Sequence, residues 1–324
     1  MIIQLKVPLK KSIVLILLLL ISVYIWDSQQ SILLLAIPID ETASSKSFST
    51  PHKRISSCIY FVHGYGANNS QFYDMINFFN DTEIFHRYTI SSPLFFDYFK
   101  KYREMDITEK EIHGLDGGIT TYASDFYNQL VKEHSNGAQI DIVAHSLGGL
   151  IIRELLRNYR YELEMNGIRF NRIVTLGTPH LGSILAQHPL KETLMMFLGS
   201  EWDTPIIESV KPNSSFVTHL NTRPLDYMSE INWLFIAGVS LGILETLGQR
   251  VIFNGLSCDG FVTYESALGY KLEQDVNIFI NRVILQKSHF QLIYDPEEQE
   301  SYKSIIQWFN HYNPNYFPSG IIPK

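Results

Sequence analysis

Ser146 stands in the segment Ala144-His145-Ser146-Leu147-Gly148-Gly149, whose residue types and spacing are those a covalent nucleophile needs. A serine hydroxyl is a weak nucleophile at its own pKa, so it must be exposed at the tip of a strained turn where a base can reach it. Small residues two before and two after the serine permit that turn. Here they are Ala144 and Gly148, a variant of the Gly-x-Ser-x-Gly pattern with alanine first. The pentapeptide alone recurs by chance, and its setting gives it meaning. The apolar run over 140–144 predicts a buried strand leading in, and 150–157 predicts a helix leading out. A second segment, His63-Gly64-Tyr65-Gly66, closes another apolar run, 59–62. Attack on an acyl carbonyl creates an oxyanion that needs two donors at about 2.7–3.1 Å. The backbone N–H groups of Tyr65 and Leu147 are the candidates. His63 is expected to brace its loop by a hydrogen bond rather than to move protons.

Positioning such groups requires a scaffold of alternating elements. Strands are predicted over 59–62, 88–91, 140–144, 172–176 and 233–237. Tyr122, Phe126 and Leu130 recur at helical spacing within a predicted helix over 120–133, and 301–309 reads as a closing amphipathic helix. Strands that alternate with helices argue for a mostly parallel α/β sheet with helices on both faces. The aromatic cluster Leu94, Phe95, Phe96, Tyr98 and Phe99 either lines an acyl pocket or packs against that sheet.

A chain of 324 residues, 45% of them hydrophobic, suits one large domain once its N-terminal tail is set aside. With 26 basic and 33 acidic residues, a net charge of -7 and no basic stripe interleaved with aromatics, nucleic acid is not an expected partner. The cysteines, Cys58 and Cys258, lack zinc-site spacing and fall at well-separated places in the expected sheet, so free thiols are expected. No His-Glu-x-x-His motif occurs, and neither a metal nor a cofactor is expected. Lys6, Lys10 and Lys11 precede an uncharged run over 12–26. Its length, about 15 residues, fits a signal-peptide core and falls slightly short of the ~17–25 of a spanning helix. The flank Ser22-Val23-Tyr24-Ile25-Trp26 offers no pair of small residues for cleavage, which favours an uncleaved transmembrane or signal anchor. The expected organisation is an anchor and membrane-proximal segment over 1–40, a polar linker over 41–57, and a catalytic domain over 58–324. The positive-inside rule places that domain on the extracytoplasmic or lumenal side; cleavage would instead give a secreted protein.

Four segments, in order, resemble the α/β-hydrolase lipases, in particular the bacterial triacylglycerol lipases and the GPI inositol-deacylase-like hydrolases. They are Phe61-Val62-His63-Gly64-Tyr65-Gly66, the Ser146 segment, Leu176-Gly177-Thr178-Pro179-His180-Leu181-Gly182-Ser183, and Asp259-Gly260-Phe261-Val262-Thr263-Tyr264-Glu265-Ser266-Ala267. The resemblance implies an α/β-hydrolase fold and a serine hydrolase acting on esters, with Asp259 presented as the catalytic acid. Ala144 and the N-terminal anchor depart from the family pattern.

In this fold the order is nucleophile, acid, histidine, so the base must follow Asp259. His289 and His311 remain, and His289, which follows the apolar segment 283–285, fits the family layout; His311 sits in a tail beyond the closing helix. Asp203 and Asp226 come too early for the acid, and His180 precedes any suitable acid, which makes it a loop or lid-hinge residue. Between these elements, 183–231 leaves the strand–helix rhythm and carries Leu194, Met195, Met196, Phe197 and Leu198, then Ile206 and Ile207. It is expected to form a lid or cap over an acyl site; a core-packing helix pair is the other reading. The expected partners are an ester substrate, in particular a lipid, and a membrane met through the anchor. A lipid acyltransferase or deacylase with the same triad, and a non-catalytic binding protein on a hydrolase scaffold, stand as alternatives.

Overall fold

The computed structural model describes residues 56–98, 118–188, 204–240, 252–270 and 280–311, with Leu272 and Ile278. These belong to one compact unit, 55–188 with 203–324. The expected anchor over 1–40, most of the linker over 41–57 and the apolar cluster over 194–198 lie outside the described residues. Among the described residues no helix is long and apolar enough to cross a membrane.

Strands buried on both faces read as continuous apolar runs, and the central strands of the sheet are largely of that kind. They are β1 (Ser56–Val62), β2 (Leu94–Phe96), β3 (Ala138–His145), β4 (Ile168–Leu176), β5 (Asn232–Gly238) and β6 (Ile280–Leu285). The sheet is 6-stranded, ordered β2-β1-β3-β4-β5-β6, with every neighbouring pair parallel. From β1 the chain passes to β2 on one side and then returns to β3 on the other. The crevice between the C-terminal ends of β1 and β3 is therefore the topological switch point, where open parallel sheets hold their sites.

Helices α1 (Tyr73–Asp81), α2 (Gly118–Glu133), α3 (Leu147–Met165) and α8 (Glu300–His311) make the principal connections and the close of the fold. Met75, Ile76 and Phe79 of α1 pack with Tyr302, Ile305 and Phe309 of α8 and with Phe61 of β1 in one apolar cluster. Short helices α4 (Thr204–Ser209), α5 (Ser215–Leu220) and α6 (Leu225–Met228) occupy the expected insert, and α7 (Tyr264–Ala267) follows the candidate acid. Ile206 and Ile207 are buried. Both cysteines are free and buried. Burial, then the charges of Asp141 and Glu133, push the Cys58 thiol up to about 12, which makes it an inert packing residue.

Several elements run longer than expected, and two differences have a clear local reason. β1 begins at Ser56, inside the expected linker, because Ser56 and Ser57 pair with Ala138 and Gln139 through their backbone whatever their polarity. No strand forms over 88–91. Residues Ile84–Arg87 make a 3-10 turn, Tyr88 sends its hydroxyl to buried Asp141 (2.6 Å), and the strand beside β1 starts only after Pro93. There Phe95 faces Phe61, while Phe96 stacks on Phe126 of α2 with ring centroids 4.3 Å apart. The aromatic cluster thus packs against the sheet; Phe99 lies outside the described residues.

Candidate active site

Each candidate residue sits just past the C-terminal end of a strand. Ser146 follows β3 directly and begins α3 with φ 52° and ψ −121°, a conformation that a non-glycine residue rarely holds. The strained turn expected of a nucleophile is therefore present. Its backbone is tied on both sides, for Ser146 N–H donates to the Leu176 carbonyl (2.8 Å) and the Thr178 hydroxyl donates to the Ser146 carbonyl (2.9 Å).

The two glycines after Leu147 have separate physical reasons. A Cβ on Gly148 would lie 2.5 Å from the Val62 carbonyl oxygen, so glycine lets the start of α3 press against the end of β1. A Cβ on Gly149 would lie 2.2 Å from the Thr178 hydroxyl, the group that holds the Ser146 carbonyl.

The histidine and the acid converge on this turn from β6 and β5. His289 Nε2 lies 2.9 Å from Ser146 Oγ, and His289 Nδ1 lies 2.7 Å from Asp259 Oδ2. Asp259 is 1% exposed, and its other oxygen, Oδ1, accepts the N–H groups of Phe261 (2.9 Å) and Val262 (2.8 Å). Both carboxylate oxygens are thus committed, which fixes the plane of the group that orients the imidazole. A Cβ on Gly177 (φ 58°) would come 2.9 Å from His289 Nδ1 and 3.0 Å from Asp259 Oδ2, so a side chain there would intrude on the pair. The loop carrying His289 is held from below by buried Lys287, which pairs with Asp295 (3.1 Å) and Glu298.

Of the oxyanion candidates, Leu147 is the first residue of α3, so its N–H has no acceptor within the helix. Tyr65 lies in the loop after β1, whose Gly64 is in close contact with Ser146: a Cβ there would stand 3.2 Å from Ser146 Cβ. His63 is buried and braces that loop, with Nδ1 2.8 Å from the Gly64 carbonyl oxygen and Nε2 3.1 Å from Asp97 Oδ1.

Two of the rejected candidates, His180 and Asp226, make other contacts. His180 is buried against Phe235 (ring centroids 3.9 Å) with Nε2 3.0 Å from the Thr175 hydroxyl. It belongs to a polar knot around the buried Arg153 of α3, whose guanidinium also reaches the Asn221 side chain (2.8 Å) and the Tyr227 hydroxyl (2.7 Å), fastening α5 and α6 to α3. Asp226 is at the surface beside Arg223. Asp203 and the side chain of His311 lie outside the described residues. The parts sequence reasoning did not assign are Gly177, Thr178 and Ser183, whose hydroxyl donates to the Phe261 carbonyl (2.7 Å). They sit in the Gly-Thr-Pro-His-Leu-Gly-Ser segment, whose one physical signal is a glycine directly after a buried strand.

A family model described as "Putative serine esterase (DUF676)" matches residues 56–269. The chain belongs to that family. The matched region contains Ser146 and Asp259 and ends before His289. Among solved structures, phospholipase PlaB from Legionella pneumophila is similar at 17% identity and TM-score 0.50, over 65% of this chain and 45% of that one. The propeptide form of lipase BlEst2 from Bacillus licheniformis is similar at 17% identity and TM-score 0.51, over 86% of this chain and 55% of that one. At that identity the likeness is one of fold, and the chain spans less than half the length of the Legionella protein. No curated protein matches the sequence.

Two imidazoles near the site are kept neutral by burial. Burial, then the charges of His289 and His63, hold His145 well below the ordinary histidine value. For His180 the causes are burial, then Arg153 and Arg282. In the unfolded chain both would titrate near 6.5. As pH falls through that value the unfolded state binds protons that the folded state refuses, so stability falls with falling pH. Urea midpoints should drop between pH 7 and pH 5.5 with proton uptake on unfolding; a flat profile across that window would contradict this.

Proposed function

We propose that this esterase-family chain cleaves carboxylic esters through an acyl-enzyme on Ser146. The observation that carries the reading is the unbroken hydrogen-bond line from Asp259 through His289 to Ser146 Oγ, with spacings of 2.7 and 2.9 Å. In this mechanism Oγ attacks the ester carbonyl as its proton passes to His289 Nε2. Asp259 holds the imidazole with Nδ1 protonated and stabilises the imidazolium that forms. The tetrahedral oxyanion is received by the N–H groups of Leu147 and Tyr65. Collapse breaks the bond to the alkoxy oxygen, which leaves as the alcohol with the proton from His289. Water, deprotonated by the same histidine, then releases the carboxylic acid and restores the serine.

The ester is proposed to be a lipid, presented at a membrane to which the N-terminal apolar run tethers the domain on its extracytoplasmic or lumenal face. The apolar run behind Lys6, Lys10 and Lys11 supports this.

Ser146→Ala should reduce ester hydrolysis by about 10⁴-fold or more, and His289→Ala should approach the same loss, because members of a triad act as a unit. His311→Ala should retain most activity. Hydrolysis by His289→Ala at the wild-type rate would remove the base assignment.

For the topology, protease added outside intact cells that carry the protein at their surface should digest the domain and leave the short N-terminal tail protected. Protection of the domain from external protease would reverse the orientation.

A further inference from the structure

His145 is the last residue of β3, paired with Leu176 of β4, in a strand whose final turns are otherwise Ile142, Val143 and Ala144. It is 2% exposed. An apolar side chain would fill such a place without the cost of burying a polar ring. Its Nε2 lies 3.1 Å from the backbone carbonyl oxygen of His289, while Nδ1 has no hydrogen-bond partner among the described residues. A carbonyl oxygen only accepts, so Nε2 carries the hydrogen and Nδ1 is the bare nitrogen.

We propose that His145 is a positioning residue, which fixes the base against the nucleophile turn by donating Nε2–H to the His289 carbonyl. The inference rests on the assignment of His289 as base. The backbone of His289 is gripped at both ends, since its N–H donates to the Asp259 carbonyl (2.9 Å) and its carbonyl accepts from His145. Each side-chain bond of the triad therefore runs beside a second bond between the same loops. Asp259 holds His289 by side chain and by backbone, and the pair His145–Ser146 holds it by one side chain each. The His145 and His289 rings pack with centroids 4.6 Å apart. On the other side Gly64 closes on the bare nitrogen, for a Cβ there would stand 2.7 Å from Nδ1. His145 is thus the spacer between the base loop and the loop that carries the Tyr65 donor. Its burial in neutral form leaves the charge of the reaction to His289.

Two variants of the full chain separate positioning from mere packing. His145→Phe keeps a ring and removes the donor, whereas His145→Gln restores an N–H at a similar reach. With active sites counted by fluorophosphonate titration, His145→Phe should lower kcat per titrated site by about 10- to 100-fold with little change in KM, the scale expected when a catalytic group is displaced by about an ångström. His145→Gln should recover at least about tenfold of that loss. Wild-type kcat per site in His145→Phe, or a glutamine variant no better than phenylalanine, would overturn the proposal. An ¹⁵N-histidine spectrum of the wild-type protein reads the tautomer even where a variant fails to fold, and a His145 ring protonated at Nδ1 instead of Nε2 would equally overturn it. His289→Ala, assayed alongside, distinguishes this failure from failure of the base assignment, which shows as hydrolysis without His289.

Discussion

Ser146 sits at φ 52° and ψ −121°, a backbone state that costs a non-glycine residue on the order of 1–3 kcal/mol and persists only where its surroundings over-determine it. Those surroundings are identifiable. The carbonyl of Leu176 holds the serine's N–H, the Thr178 hydroxyl holds its carbonyl, and two glycines remove the side chains that would keep α3 away from β1 and from Thr178. Everything else about the site follows from that turn being where it is. A parallel sheet with its switch point at β1 and β3 brings the loop of Gly64 beside the serine. The loops after β5 and β6 then need only to reach over β4.

The segment after β4 is the joint between these parts. Gly177 leaves room for the Asp259–His289 pair, Thr178 fastens the Ser146 turn, His180 and Arg153 bind the short helices of the insert, and the Gly182 carbonyl accepts from the Ser266 hydroxyl (2.6 Å). One loop therefore touches Ser146, His289, the loop of Asp259 and the insert. Rigid placement of all four from one segment is what lets a site built on loops keep hydrogen-bond spacing across residues 143 positions apart.

Much of this was legible in the sequence. The turn at Ser146 was readable because small residues lay between an apolar run and a helical pattern, and that Asp259 and His289 lie beside it was expected from chain order together with the family resemblance. The strands were readable where both faces are buried, as in β3 and β5. The failure over 88–91 has a local cause, since Tyr88 answers to the buried Asp141, which also pairs with Arg172, and no periodicity reports a partner 53 residues away. Gly177 and His145 were present in segments already singled out, yet their roles depend on how near His289 comes in three dimensions. That distance is a tertiary fact. His180 likewise read as a loop or hinge residue and proves to be stacked and buried, because its partners Thr175, Arg153 and Phe235 come from three different elements.

The central claim is that Ser146 is the nucleophile of an acyl-transfer site. The most direct measurement is to react the full-length protein with a fluorophosphonate, digest it, and locate the phosphonyl group by peptide mass spectrometry. The account predicts one adduct, on the Ser146 hydroxyl, formed in step with loss of esterase activity. An adduct on another residue, or inhibition with Ser146 unmodified, would contradict it.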